Sequence, residues 1–275
     1  KLDGEAGVDQ PFMDWPITRA YCVAVAAFLA IRLFFQWRLG GFLTEMLKEE
    51  GQTLAVRFQR QDGTIGQAGG IKSKVGTRRK YPQKTANLKV RWCSAVLKID
   101  TAALALNNDP AFVDGCRILF LTGERREEGR NGLGRALYAE KEPHRCDSGR
   151  KRVDAWRSVI DWSEEEVWAI IRRWGIVPHP AYRLGFPRVS CMGCIFGLPD
   201  QWASVRAVAP VAFDLYAYYE QEMGSTIDQR KTVGQMADKG TPYPGCKDAA
   251  LVALAMGREY RSEERRVGKE CHSEC

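Results

Sequence analysis

An α/β fold with a Rossmann-like, mostly parallel sheet flanked by helices is what this sequence predicts, and three observations predict it. Apolar runs of strand length alternate with helix-length amphipathic segments. The clearest strand, "CRILFLTG", runs directly into a charged, Gly-containing loop, "ERREEGRNG", as strands of open α/β sheets do at their ligand-binding edge. The clearest helix, "DWSEEEVWAIIRRWG", follows that loop with its own start and stop signals.

Taken in chain order, Ile17 to Leu33 reads as a broadly apolar helix after Pro16. "IRLFFQW" suits a short buried strand, and "GFLTEMLKEEG" a short helix closed by Gly51. Gln52 to Leu88 is rich in Gly, Gln, Lys and Thr with little periodicity, so an insertion or long loop is expected over about 52–90. "CSAVLKIDTAALAL" has a helical pattern, and "CRILFLTG" reads as a buried strand. In the following helix Ser163 is placed to cap, with Glu166 at the capping-box spacing; Val167, Ile170, Ile171 and Trp174 share one face and Gly175 ends the run. A long helix is expected over Gln201–Met223, with a break at Pro210. Trp156, Trp162, Trp168 and Trp174 recur every six residues, which core packing explains.

At 275 residues, 45% hydrophobic and 27% charged, the chain is ordinary for a globular protein able to bury a core. Its most apolar stretch, "AYCVAVAAFLAI", lies between Arg19 and Arg32, too short for the ~20 residues of a membrane helix. No secretory signal is visible, and nine irregularly spaced cysteines favour reduced thiols and ligands in a cytoplasm over disulfides. The net charge of +7 is uneven. Gly63 to Ile99 holds nine Lys/Arg and no Asp or Glu, which suits either a solvated basic loop or a surface for phosphates or nucleic acid; the unbroken sign favours the second.

Two further patterns carry chemistry. Arg125, Arg126 and Arg130 follow the "RILFLTG" strand and have the fork geometry that meets phosphate or sulfate oxygens, although the loop balances them with Glu. "SCMGC" places Cys191 and Cys194 two residues apart, suited to metal or cluster ligation, a redox pair, or core filling.

"RWCSAVLKI", "FLTGERREEG", "WRSVIDWSEEEVWAII" and "GIVPHPAYRLGFPRVSCMGC", in that order, resemble phosphoadenosine phosphosulfate reductase-like proteins of the adenine-nucleotide α-hydrolase superfamily, from about Asp3 to Tyr243. The resemblance implies one adenine-nucleotide-binding domain over 1–260. It implies that Lys98, Gly123 and Arg125 contact the anionic part of the nucleotide, with Arg188 near the same pocket and Asp3 and Glu5 at a strand end near the ribose. It also implies a [4Fe-4S] cluster or zinc held by Cys93, Cys191 and Cys194, with a fourth ligand missing and Cys146 or Cys246 as candidates without motif support. The implied activity is reduction or activation of a nucleotide-linked sulfate (phosphosulfate or ATP as the nucleotide), with a thiol reductant or sulfur donor as partner and no membrane. Sulfur transfer to DNA or tRNA, or a catalytically inactive nucleic-acid-binding module, are the alternatives.

Departures from the family's pattern sharpen these expectations. The family's first strand and phosphate loop belong upstream of Asp3 and are missing from this sequence, so an N-terminal fragment, weak or inactive by itself, is expected; "AGGIKSK", Ala68 to Lys74, lacks the strand-to-helix context of such a loop. The reductases' Glu-Cys-Gly-x-His is approached only by "KECHSEC", which lacks the Gly, so no catalytic cysteine is assigned. That segment lies in Arg261–Cys275, which resembles a translated sequencing adaptor and is expected to be a non-native tail; its four basic and four acidic residues leave the net charge unchanged.

Overall fold

The computed structural model describes residues 12–47, 55–70, 79–85, 87–112, 115–128, 138–189 and 191–260. The described residues divide into two units. The first takes the chain through Ala102 and resumes over Pro178–Tyr260; the second is Ala103–Val177.

In the first unit, α1 (Thr18–Phe28) leads to β1 (Gln36–Arg38) and α2 (Gly41–Leu47). β2 (Ala55–Gln59) and β3 (Ile65–Gly69) then form a hairpin, and the sheet order β1-β2-β3 is antiparallel throughout. The stretch expected over about 52–90 as an insertion or long loop thus holds a hairpin over 55–69. Asp62 and Gly63 make the turn: Asp62 Oδ1 accepts from Thr64 N at 2.9 Å, and Gly63 takes a φ of 85°. Val56 and Phe58 on β2 and Gly66 and Ala68 on β3 are buried at period two, with Ala55 buried beside them; on β3 the buried residues are small and the apolar Ile65 is exposed.

A helical run crosses from this unit into the second: α3 (Trp92–Ser94), a π turn over Ala95–Ile99, and α4 (Asp100–Asn108). The π turn leaves the Val96 carbonyl to other donors, and it accepts from Thr101 Oγ1 at 3.0 Å and Arg38 Nε at 3.4 Å. After residue 178 come α6 (Pro180–Leu184), α7 (Pro199–Val208), α8 (Pro210–Met223), α9 (Val233–Asp238) and α10 (Ala249–Met256). Pro210 separates α7 from α8, as its missing N–H and fixed φ require. The core gathers Trp15, Trp92, Trp202, Tyr216, Phe186 and Met192 among others, and their aromatic rings meet mostly edge to face.

The second unit holds β4 (Arg117–Leu121), β5 (Lys141–Pro143), β6 (Arg152–Trp156) and α5 (Glu164–Arg173). β4 pairs with β6 in parallel and β5 with β6 antiparallel. Helix and sheet are thus mixed as expected, but the mostly parallel sheet is not what the described residues form; one pairing of the two sheets is parallel. Nor is β4 buried on both faces. Among the described residues it is an edge strand, and Leu119 and Leu121 are more than half exposed while Ile118 and Phe120 turn to a small core of Ala103, Leu106, Cys146 and Val153. The six-residue tryptophan series is not core either: Trp156, Trp162 and Trp168 are half-buried and Trp174 is exposed, the large buried indoles being Trp15, Trp92 and Trp202. α5 begins as the sequence predicts, with Ser163 Oγ accepting from Glu166 N and the Glu166 carboxylate accepting from Ser163 N; those bonds hold the Glu166 pKa below its ordinary value. Among the described residues no helix is long and apolar enough to cross a membrane.

Candidate functional site

The residues singled out by the sequence fall into both units. Asp3 and Glu5 lie outside the described residues, as do Arg130, residues 71–74 of "AGGIKSK" and the "KECHSEC" segment. Ala68 and Gly69 of "AGGIKSK" end the antiparallel strand β3.

In the second unit the "TGERREE" segment leaves β4 and turns through Arg126–Glu128 toward the start of α5. Gly123 is open: a Cβ added there would meet nothing within 4 Å. Arg125 is largely covered, and its guanidinium is taken up internally. Nη1 donates to Glu127 Oε2 at 2.8 Å and to the Trp162 carbonyl at 3.3 Å, and Nε stands 3.5 Å from Glu128 Oε1. Arg126 pairs with Asp161 and donates to the Tyr138 carbonyl at 3.0 Å. Arg157 reaches Glu124 at 2.6 Å and Glu142 at 2.5 Å; burial opposes its charge, and the bonds to Glu142 and Glu124 more than offset that, leaving its pKa above the ordinary arginine value. Three guanidiniums therefore face five carboxylates: Glu124, Glu127, Glu128, Glu142 and Asp161. A cleft of about 240 Å³ lies against this network, lined by Arg126, Glu127, Ile160, Asp161, Trp162 and Ser163. An incoming oxyanion at Arg125 would compete with Glu127 and Glu128 for the same donors.

The first unit brings together segments about a hundred residues apart. Cys191 and Cys194 are buried in its core, and Cys93 and Cys246 pack against that same core half-buried. "RWC" and "PRVSCMGCIF" meet at one ring: the Arg91 guanidinium carbon lies 5.9 Å, and that of Arg188 5.3 Å, from the centre of Phe196. Lys98 projects from the π turn and is exposed.

The fit to a metal or cluster can be judged from these thiols. Among the described residues, no three Cys, His, Asp or Glu side chains stand together as a metal-ligating group. A four-iron cluster needs four thiolates. Cys146 belongs to the core of the other unit, where its thiol points to the Ala103 carbonyl, and Cys246 has its pKa raised, chiefly by burial, with bonds to Ser204 and Tyr243 opposing the shift. The described thiols share a core without forming the ligand set, so they do not fit the group as arranged.

The two described histidines make structural contacts. His179 caps α6: its Nδ1 accepts from Ala181 N at 3.2 Å, which leaves the proton on Nε2, 3.3 Å from Thr18 Oγ1. Burial lowers its pKa to about 4. His144 Nδ1 accepts from Cys146 N at 3.2 Å in a turn, and its ring lies 4.6 Å from that of Phe120.

Comparison with known proteins bears on this arrangement directly. The phosphoadenosine phosphosulfate reductase domain matches residues 65–196, a span that holds Cys93, Lys98, Gly123, Arg125, Arg188, Cys191 and Cys194. Residues 65–196 thus form a phosphoadenosine phosphosulfate reductase-like domain. It is 27% identical over 162 residues to an uncharacterised 37.8 kDa protein of Escherichia phage 186, covering 58% of this chain and 44% of that protein. It is 38% identical over 77 residues to an adenosine 5'-phosphosulfate reductase of Neisseria meningitidis, covering 27% of this chain and 28% of the relative. The reductase of Allochromatium vinosum is 30% identical over 92 residues, 31% of this chain and 36% of that one. The chain thus spans less than half the length of the curated relatives it matches. No solved structure matches it significantly.

What sequence reasoning missed is Phe196 and Lys84. Lys84 lies in the basic run that was read as one continuous surface, and Phe196 lies just past the Cys-x-x-Cys. The signal available was the aromatic residue two positions after Cys194, which carries no meaning until its neighbours in space are known.

Proposed function

We propose that this chain binds an adenine nucleotide bearing a sulfate, and acts in the reduction of that sulfate or in a related sulfur transfer. The observation that carries the reading is the domain match over 65–196, because that one span contains each of the described candidate residues for the nucleotide, Lys98, Gly123, Arg125 and Arg188. Fixed cations facing an oxyanion are what transfer at sulfur or phosphorus requires. The Neisseria and Allochromatium relatives carry the name adenosine 5'-phosphosulfate reductase, and the substrate proposed here is drawn from that similarity. A thiol reductant or sulfur donor would complete the reaction in a cytoplasm, where thiols stay reduced. Calorimetric titration of the full-length protein with adenosine 5'-phosphosulfate tests it. Saturable binding that adenosine alone does not reproduce is the expected result, and no binding rejects the reading.

A second reading, sulfur transfer on DNA or tRNA, is favoured by the nine Lys/Arg without Asp or Glu over Gly63–Ile99. Arg19 and Arg32 add cations 4.9 Å from the half-buried rings of Phe35 and Phe34. Binding to duplex DNA or tRNA that weakens steeply with salt would select it over the first.

A further inference from the structure

Phe196, two residues past Cys194, gathers three cations. Lys84 Nζ lies 5.7 Å, Arg91 Cζ 5.9 Å and Arg188 Cζ 5.3 Å from the ring centre. Each gains from the negative face of the ring, but sharing one ring draws three like charges close enough to repel. Among the described residues no carboxylate pairs with any of them. Arg91 Nε is moreover buried without a hydrogen-bond partner, and a buried donor of that kind is costly until an acceptor arrives. The contrast with the second unit is direct, since Arg125, Arg126 and Arg157 are all engaged by carboxylates there. Folding, rather than a local run, assembles the cluster: Lys84 and Arg91 precede α3 and Arg188 lies about a hundred residues later.

We propose that Lys84, Arg91 and Arg188, gathered on Phe196, form the binding site of a small dianion, the phosphate or sulfate end of an ester ligand. The two guanidiniums supply planar forks that match an oxyanion, and the ammonium supplies a point charge. Phe196 is a positioning residue that draws the three heads to one ring. The site deepens the nucleotide-linked sulfate reading by naming what holds the sulfate end, yet it needs only the dianion and not the adenosine.

The test titrates the full chain with inorganic pyrophosphate and, separately, with adenosine 5'-phosphosulfate, at fixed salt. Arg188→Gln and Lys84→Gln are each expected to weaken pyrophosphate binding about tenfold, and Arg91→Gln at least as much, with circular dichroism checking that the fold is kept. Arg91→Lys, which keeps the charge, should restore most of the affinity, and Phe196→Leu should lose several-fold. Lys89→Gln, an exposed charge of the same basic run away from the ring, should change nothing. Equal losses from Lys89→Gln and Arg188→Gln would mean a diffuse basic surface and overturn the site. So would a single-stranded oligonucleotide that binds through these residues while pyrophosphate does not. Pyrophosphate binding that depends on the three cations, without binding of adenosine 5'-phosphosulfate, would keep this site and reject the nucleotide reading. Tight adenosine 5'-phosphosulfate binding indifferent to all three variants would do the reverse.

Discussion

Glu127 Oε2 accepts two hydrogen bonds, one from Arg125 Nη1 at 2.8 Å and one from the backbone amide of Glu164 at 2.6 Å. A single carboxylate thus ties the loop after β4 to the first turn of α5, and it does so where an orphan helix amide and a guanidinium both need an acceptor. Replacing Glu127 by Ala removes both bonds at once. Because the Glu127 side chain is about half exposed, screening cuts the ion pair's share, and the expected loss is about 1 kcal/mol. Urea denaturation of the two proteins side by side measures it. Glu127→Gln, which keeps an acceptor for the helix amide, should recover part of that loss.

Thiol accessibility separates the cysteines by burial. Cys146, Cys191 and Cys194 are buried, whereas Cys22, Cys93, Cys116 and Cys246 are half-buried. Burial also raises the pKa of Cys22 and Cys246, and the reactive species is the thiolate. Among the described cysteines, a charged alkylating reagent applied to the native protein should therefore mark the four half-buried thiols, Cys22, Cys93, Cys116 and Cys246, before the three buried ones. Peptide mass spectrometry at timed quench points reads the order. Early labelling of Cys191 or Cys194 would show that their loop opens readily.

How far the chain was legible follows the range of its interactions. α5 was legible because its capping box is an i, i+3 relationship between Ser163 and Glu166, and the break at Pro210 because proline acts on its own turn. The β2–β3 hairpin was not, although Asp62-Gly63 marks its turn, because the buried positions of β3 are the small Gly66 and Ala68 while the apolar Ile65 faces out. In the π turn around Lys98 the Val96 carbonyl accepts from Arg38 Nε, 58 residues away, and no local pattern announces that contact. In the site, the "TGER" motif marked Arg125 but not the fate of its charge, although Glu127 and Glu128 stood beside it in the sequence. The convergence of Lys84, Arg91 and Arg188 on Phe196 is wholly a matter of tertiary structure.

Gly185 ends α6 with φ at 105°, a backbone region that side chains rarely enter, and a Cβ there would meet the Tyr243 Cβ at 2.8 Å. Strain and overpacking add, so Gly185→Ala should cost about 2–3 kcal/mol. Tyr243 is half-buried with its ring 5.3 Å from that of Phe186, which limits how far it can yield. A shift in the thermal midpoint of several degrees checks the figure, and the double variant Gly185→Ala with Tyr243→Gly, which removes the opposing Cβ, should show less than additive loss.

His179 makes the stability of the protein depend on pH. Burial holds its folded-state pKa at about 4, below the 6.5 of an exposed imidazole, so the unfolded chain binds a proton more readily than the folded one. Neutral His179 caps α6 through Nδ1, and protonation would turn that acceptor into a donor facing the Ala181 amide. The stability it contributes is fully present above pH 6.5 and is lost as pH falls toward 4, by up to about 3 kcal/mol at 1.36 kcal/mol per unit. Glu220 opposes the trend: burial raises its pKa, although bonds from Ile227 and Val233 resist, so its protonation favours the folded state in part of the same range. Comparison with His179→Asn isolates the histidine, because asparagine keeps an N-cap oxygen but does not titrate. Urea midpoints measured from pH 4 to 7.5 should converge between the two proteins at low pH and separate as pH rises, with most of the change between pH 4 and 6.5. Parallel curves across that range would mean that the imidazole is protonated as easily in the folded chain as outside it.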